Sequence, residues 1–403
     1  MSPAVLTPLK ITPAEGRRSR SGQGELITLG IIGGGQLAKM TAQAAAQLGC
    51  KVVILERQSE FPAGCVAART LLGDWDKAHV LLELASQVDA VMLENEFVDA
   101  EALSSLEQSG HTLCPSSGTM HLIQDKLIQK QTLARAGLPV PEPRAVERIE
   151  DVSSVAAEWG FPFLLKARRN AYDGKGNATV RSSTDIEAAW RKLGGHTGNP
   201  LFAEQFCRFA KELAVIVTRG INGDAVTYPL VETVQCDHIC HVVHVPAPVS
   251  PELAVRAAEL ARRAVETVEG TGSFGVEMFL MPDGKIVINE LAPRVHNSGH
   301  YTIEACACSQ FENHVRAVLG WPLGSPALRV PAAVMVNLLA HSDSSGASHG
   351  LTEALRVPGA HIHIYGKTRS SAGRKMGHVT ALGATPEEAL AVAQRAADCI
   401  RFG

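Results

Sequence analysis

The sequence predicts an α/β protein of two or three domains that opens on a parallel sheet. Three observations carry this reading. The chain has 403 residues, enough for two or three independent cores. Residues 26–56 run strand, glycine turn, helix, strand, which is a βαβ unit. From residue 161 onward, strand-like runs are joined by short glycine-rich connections of the hairpin kind. Composition is that of an ordinary globular chain, 45% hydrophobic and 20% charged. With 38 Lys+Arg against 41 Asp+Glu, the net charge of −3 provides no global basic field for nucleic acid or an anionic membrane. An anionic ligand must therefore be held by local clusters. No apolar run approaches bilayer length. The nine cysteines are scattered and read as small buried hydrophobes of a reducing compartment, so a cytoplasmic protein is expected.

Residues 1–25 carry Pro3, Pro8 and Pro13, then Arg17, Arg18 and Arg20, with no apolar h-region for a secretory signal. The Arg/Ser content would also suit an organelle transit segment, but the prolines break the helix this needs, and a disordered tail is expected. Order begins with the strand 26–32. Gly33-Gly34-Gly35 follows, then an Ala-rich helix from 36 to 48 and a strand at 51–56. Residues 89–93 form a further strand ending in Glu94-Asn95-Glu96. Ligands of open parallel sheets sit beyond the carboxyl ends of the strands, where both the glycine turn and Glu94 fall. Gly33, Gly35 and Ala38 fit the dinucleotide pattern, with Glu56 near the place of a ribose-binding acid. Equally, the glycines only shape a turn, or their N–H groups receive another phosphorylated ligand.

A polar helix opens at Asp125-Lys126, runs to Arg135 and is stopped by Gly137-Leu138-Pro139. Residues 161–167 form a strand bearing Lys166. The loop Tyr172-Asp173-Gly174-Lys175-Gly176-Asn177 leads to a return strand at 178–180. Such a glycine loop covers nucleotide phosphates with backbone N–H groups, with Lys166 as point charge, or it is a solvated turn. Strands follow at 201–206 and from 211. There, Glu212 is a candidate for ribose hydroxyls and residues 204–207 offer backbone groups to a base.

The sharpest local argument is a hairpin. Residues 274–281 and 285–290 are apolar strands joined through Pro282-Asp283-Gly284. A two-residue Asp-Gly turn would place Pro282 opposite Lys285, and Glu277 opposite Glu290 with Cβ atoms about 4.5–5.5 Å apart. Facing carboxylates repel unless a cation lies between them, and hard oxygen ligands that leave room for phosphate suit Mg²⁺. The alternative is an exposed pair with lysines nearby. Asn289 adds an oxygen. Arg294, His296 and Asn297 follow in a polar loop, where Arg294 presents a fork for a planar oxyanion. One helix from 301 to 319, including Cys306 and Cys308 in its core, closes the unit. Cys236, His238, Cys240, His241 and His244 raise a zinc reading, but the segment reads as a strand without paired C-x-x-C spacing. Tyr365 to Arg369 and Gly373 to His378 form two basic turns with no acid between, either an anion trap or a solvated hairpin. A helix at 386–400 ends the chain.

As an ordered set, Gly33-Gly34-Gly35-Gln36-Leu37, Tyr172-Asp173-Gly174-Lys175-Gly176, residues 289–300 and Gly373-Arg374-Lys375-Met376-Gly377-His378 resemble the N5-carboxyaminoimidazole ribonucleotide synthetases, ATP-grasp carboxylating enzymes of purine synthesis. The likeness covers residues 26 to about 400 and displaces the dinucleotide reading. It implies a pre-ATP-grasp α/β domain at 26–120, an ATP-grasp domain at 121–325 with a lid at about 140–205, and a small β-rich C-terminal domain at 326–403.

It also implies ATP contacts at Lys126, Lys166, Ala171, Tyr172, Asp173, Gly174, Lys175, Gly176, Asn177, Glu204, Gln205, Phe206, Cys207, Glu212, Gln235, Asn289 and Glu290. Glu277 and Glu290 would hold Mg²⁺, or Mn²⁺. Aminoimidazole ribonucleotide would meet Gln36, Leu37, Glu94 and Tyr172, with its phosphate on Lys367, Arg374 and Lys375. Bicarbonate chemistry would fall to Arg294, His296, Asn297 and Lys367, with ATP as co-substrate and no biotin. Bicarbonate would attack the γ-phosphate to give carboxyphosphate, and the exocyclic amine would then take the carboxyl group. The glycine loop should exclude water from that labile species. A homodimer and a separate downstream mutase are implied. The sequence departs from the family pattern at Asn170-Ala171 (usually Gly-Gly), Gln235 (often His) and Phe97 (often His or Asn). A formate-dependent glycinamide ribonucleotide transformylase shares several of these features, but normally carries Asp-Thr-Gly where this chain has Asn297-Ser298-Gly299. A catalytically dead nucleotide-binding protein is disfavoured by the intact Lys166, Glu277, Glu290 and Arg294.

Overall fold

A computed structural model describes residues 26–170 and 176–403. The expected N-terminal tail and the Ala171, Tyr172, Asp173, Gly174 and Lys175 contacts lie outside the described residues. Five strands, β1 (Thr28–Ile32), β2 (Lys51–Glu56), β3 (Arg69–Leu72), β4 (Ala90–Leu93) and β5 (Leu113–Cys114), form a wholly parallel sheet of order β3-β2-β1-β4-β5. Strands β1 and β2 are continuous apolar runs because both faces of the sheet are covered. The order reverses between β1 and β4, so Gly33 and Glu94 flank the switch-point crevice, as expected.

A second sheet, of order β6-β9-β7-β8, comprises β6 (Pro143–Val146), β7 (Phe163–Ala167), β8 (Asn177–Val180) and β9 (Leu201–Gln205), with its own core around Phe163, Leu165 and Trp190. The third sheet takes β10 (Lys211–Arg219), β11 (Ala225–Thr227), β12 (Val231–Cys236), β13 (Ile239–Val245), β14 (Gly272–Leu280), β15 (Ile286–Ala292) and β16 (Ala332–Leu339). Short strands β17 (Ser344–Ser345) and β18 (Ser348–His349) precede β19 (Ala360–Ile364), β20 (Arg369–Ser370), β21 (Lys375–Gly383) and β22 (Arg401–Phe402). The third sheet runs β15-β14-β10-β12-β13-β16-β21-β19, with β11 paired to β10. The C-terminal strands β16, β21 and β19 thus extend the sheet of the central region. The helix Pro251–Thr267, capped by Ser250 and opened by Pro251, covers one face over Leu213, Val215, Phe274 and Ile288. No helix among the described residues is long and apolar enough to cross a membrane.

Four sequence expectations need correction. The β14–β15 connection is not a two-residue turn. The Gly284 N–H donates to Met281 O (2.9 Å) and the Met281 N–H to Lys285 O (2.8 Å), with Pro282 at the second position and Gly284 at φ 81°. This three-residue loop uses proline's fixed φ and glycine's left-handed freedom. It pairs Leu280 with Ile286, and Pro282 does not face Lys285. A β-bulge between Glu277 and Met278, with Asn289 as the extra residue, then shifts the register by one, so Glu277 does face Glu290. Two register errors cancel. Next, the expected helix 301–319 is broken into Thr302–Ala305 and Gln310–Val318, because Ser309 caps the second piece and Cys306 bridges to Leu328. Cys306 and Cys308 are buried in this break and not in a helix. Then residues 236–244 are not one strand. Asp237 and His238, at φ 49° and 65°, make the tight turn between β12 and β13. Finally, Lys375 to His378 opens strand β21 and does not form a turn.

A candidate active site between three sheets

The first two glycines of the turn are tied to strand β2. The Gly33 N–H donates to Leu55 O (2.9 Å) and the Gly34 N–H to Glu56 Oε2 (2.8 Å). Glu56 is therefore committed to the turn and not free for a ribose. Glu94 closes the other side, so that a Cβ at position 35 would lie 2.1 Å from Glu94 Oε1. A side chain there would have to displace the Glu94 carboxyl group. Of the N–H groups that an anion could meet at this turn, those of Gly33 and Gly34 are spent on Leu55 O and Glu56, and Glu94 places a carboxyl group beside the helix start. Burial pushes Glu94 up to about 7, against the opposing charges of Arg294 and Lys367. Gln36 opens the helix Gln36–Gln47 in a half-buried position. The Leu37 side chain, however, packs with Met40, Val295, Phe311 and Tyr365, so it is a core residue and could meet a ligand only through its backbone.

Across the crevice, the Arg294 fork is already engaged. Nε donates to Glu96 Oε2 (2.6 Å) and Nη2 to Glu96 Oε1 (3.1 Å). Burial opposes ionisation of Glu96, but Arg294 outweighs it and holds the carboxylate low. The expectation of a fork open to an oxyanion is corrected accordingly: the guanidinium keeps its charge but shares its donors with Glu96. Gln310 grips His296 on both backbone groups, through Oε1 (2.9 Å) and Nε2 (2.7 Å). His296 Nδ1 meets Ser298 Oγ at 2.9 Å and its Nε2 stands 3.4 Å from Glu277. Burial, then Arg294 and Lys375, push His296 down to about 3, so it is a neutral imidazole at ordinary pH. Asn297 exchanges two amide hydrogen bonds with Asn337, at 2.9 and 2.7 Å.

Glu277 and Glu290 face each other as Cα partners. The bulge makes Asn289 and Glu290 successive half-buried residues between buried Ile288 and Leu291, so both side chains face the cavity. Burial pushes Glu277 up and the Glu290 charge adds to this, while Lys126, which donates to Glu290, holds Glu290 down despite its burial. Asn289 Oδ1 is buried without a hydrogen-bond partner among the described residues. Two facing carboxylates, one of them short of positive charge, plus an orphan amide oxygen, make a hard oxygen donor set that fits a divalent cation. Among the described residues no three His, Cys, Asp or Glu side chains gather for a metal ion, so the pair would share its ion with phosphate oxygens and water.

Deeper in, Lys166 Nζ donates to Glu204 Oε1 (2.6 Å), and Lys130 Nζ lies 2.7 Å from Oε2. The expected Glu204 contact is thus an ion-pair centre, 1% exposed, whose carboxylate is spent on two lysines. Burial dominates the lowered Lys130 value. Lys166, Asn177, Gln205, Phe206, Cys207, Glu212 and Asn289 wall a cavity of about 790 Å³ between the second and third sheets. Lys126, Gln235, Glu277, Glu290, Arg294, His296, Asn297 and Lys375 wall an adjoining one of about 220 Å³. Burial raises Glu212, and Gln235 hydrogen-bonds to it. Gly176 ends the described part of the loop with a half-buried turn. Lys367 donates to Lys375 O (2.7 Å), whereas Arg374 is exposed and donates to Arg369 O (2.9 Å). Asn170 takes φ 57°, a left-handed conformation asparagine tolerates, which explains how it stands where the family pattern has glycine. The Phe97 ring is 43% exposed.

Sequence reasoning missed Lys130, Glu96, Gln310 and Asn337. Lys130 had a signal, four residues after Lys126 on one helix face. So had Asn337, a single polar residue within the apolar run Ala332–Leu339. Glu96 and Gln310 had none, since their partners are distant in sequence.

Three family models match the chain in order. They are the ribonucleotide synthetase preATP-grasp domain (26–124), the ATP-grasp domain (131–311) and the phosphoribosylaminoimidazole carboxylase C-terminal domain (333–392). A phosphoribosylaminoimidazole carboxylase of Ogataea methanolica is 42% identical over 87% of this chain, which spans 66% of that protein's length. An N5-carboxyaminoimidazole ribonucleotide synthase of Synechococcus elongatus is 42% identical over 87% of this chain and 88% of its own. The crystal structure of N5-carboxyaminoimidazole synthase from Aspergillus clavatus with ADP and 5-aminoimidazole ribonucleotide superposes with a TM-score of 0.84 at 37% identity, covering 93% of this chain and 98% of that one.

Proposed function

The chain belongs to the N5-carboxyaminoimidazole ribonucleotide synthase family, and on that premise we propose that it uses ATP and bicarbonate to carboxylate the exocyclic amine of 5-aminoimidazole ribonucleotide. The carrying observation is the Glu277–Glu290 pair, set beside Lys126, Arg294 and His296 in one cavity. ATP would lie between the second and third sheets, its base near Gln205 to Cys207, its ribose near Glu212 and its phosphates toward Lys166 and Lys126. Glu277, Glu290 and Asn289 would hold Mg²⁺. That ion, when bound, neutralises the β- and γ-phosphate oxygens.

The residues' own contributions follow from their charge states. Lys126 and Lys166 draw negative charge off the transferring phosphoryl group. Arg294, fixed by Glu96, presents a lasting positive charge to bicarbonate. Neutral His296 and Asn297 orient that anion without binding it as tightly as a cation would. Bicarbonate oxygen bonds to the γ-phosphorus as ADP leaves. The amine nitrogen then bonds to the carboxyl carbon, phosphate departs, and the amine loses one proton. We place the ribonucleotide over Gln36 and Glu94, with its phosphate on Lys367, Lys375 and Arg374. The nine unpaired cysteines and the family likeness support a cytoplasmic homodimer. The test is ADP release with bicarbonate and radiolabel transfer into an acid-labile product. Dependence on 5-aminoimidazole ribonucleotide supports the reading; dependence on formate and glycinamide ribonucleotide overturns it.

A further inference from the structure

The loop that carries Asn297 continues as helical turns, Asn297–Gly299 and Thr302–Ala305. Residues 297, 300 and 304 recur at helical spacing and so share one face. That face meets a single row of side chains running across three strands. Asn337 on β16 is the Cα partner of His378 on β21, which is the partner of His363 on β19, so all three project from one side of the sheet. The contacts match one to one. Asn297 pairs with Asn337 through both amides, the His300 and His378 rings lie 4.9 Å apart, and Glu304 Oε1 meets His363 Nε2 at 2.7 Å.

The row is tied together laterally. The His363 and His378 rings stack at 4.3 Å with planes 9° apart, and Tyr365 OH meets His378 Nδ1 at 3.0 Å. Asn337, His300 and His378 are each 2% exposed or less. Burial holds both His300 and His378 far below the usual imidazole value, so the rings are neutral. A strip of polar groups in a closed interface stabilises less than hydrocarbon would, but it admits one alignment only. A slip of the loop by one residue would break all three pairings together.

Both edges of this strip carry the site. Asn297 is itself in the strip, next to His296, while Lys375 lies three residues before His378 on β21, and Lys367 follows β19 and donates to Lys375 O. We propose that the Asn337–His378–His363 row is a positioning device for the carboxyl transfer, holding the Arg294–Asn297 loop in one register against the strands that bring Lys367 and Lys375. None of the three touches substrate. Misalignment would slow the bicarbonate-dependent release of ADP, and more of the labile carboxyphosphate that still forms would be lost to water before the amine reaches it. The inference rests on the function proposed above.

Its test uses full-length Asn337→Leu and His378→Phe, with Asn337→Asp and His378→Gln as milder changes should either of the first fail to fold. His363→Gln, which keeps a donor for Glu304, is the conservative control. The readouts are carboxylated product per ADP released, KM for ATP, and amide exchange over residues 297–304. We expect product per ADP to fall about tenfold or more in the disruptive variants, with KM for ATP within about twofold of wild type, faster exchange across 297–304, and near-normal coupling in His363→Gln. Folded variants with wild-type coupling and unchanged exchange would overturn the inference. A wild-type chain that releases no ADP in response to the ribonucleotide would instead sink the functional reading, and the exchange measurement would still decide whether the row holds the loop.

Discussion

Two turns in this molecule look alike in sequence and differ in what they leave undone. The glycine turn after β1 and the hairpin between β14 and β15 each combine glycines with acids at strand ends. In the first, Glu56 satisfies the Gly34 N–H and so serves the turn, while Glu94 covers Gly35 without bonding to it and keeps its carboxyl group toward the crevice. In the second, two carboxylates face each other with an orphan amide oxygen beside them, and Lys126 donates to Glu290. A polar group marks a ligand site when the fold leaves it bonding capacity, as at Glu94, Glu277 and Asn289, and serves structure when the fold uses it, as at Glu56.

The sharpest way to break this contrast is Glu290→Gln. It removes charge where the hairpin is incomplete, and turnover should fall about 10²–10³-fold or further with little change in thermal midpoint. Retained turnover would refute the metal assignment. Lys130→Met comes next. It leaves Glu204 with one cation instead of two in a buried setting, at a cost of roughly 3 kcal/mol in denaturant unfolding, and it should raise KM for ATP. At the glycine turn, Gly35→Ala should push aside the Glu94 carboxylate, the end of a flexible side chain. The chain should fold, with KM for the ribonucleotide up about tenfold and KM for ATP unchanged. Glu56→Ala should cost about 1–3 kcal/mol in stability, for the Gly34 N–H it strands, and leave kcat intact.

The smallest effect is a pH slope. Burial raises Glu94 from 4.5 to about 7, so its contribution to stability is full below the ordinary carboxylate range and is lost as pH rises through about 7. Glu277 acts in the same direction. Glu94→Gln should therefore flatten, without abolishing, the fall in thermal midpoint between about pH 5 and 7.5. An unchanged slope would mean that Glu94 is solvated.

Much of the fold could be read from local pattern. Strands β1 and β2 and the helix Gln36–Gln47 follow from periodicity and glycine placement. The pairing of Glu277 with Glu290 was reached through a turn the molecule does not make, and a bulge at Asn289 restored it. Bulges depend on what packs against the strand, here the buried Ile288 and Leu291, and leave no local trace. The same holds for Glu96 on Arg294, 198 residues apart, and for the row Asn337–His378–His363, which exists only once three strands are in register. Lys130 and Asn337 were legible in principle, as a charge on a helix face and a polar residue in an apolar strand. Their partners were not.

Manganese titration in the presence of ADP, followed by its paramagnetic resonance, is the most direct check on the hairpin's need for a cation. The wild-type chain should take up the ion saturably with nucleotide, and Glu277→Gln and Glu290→Gln should each weaken that uptake about tenfold or more. Equal manganese binding by all three folded proteins would contradict the account.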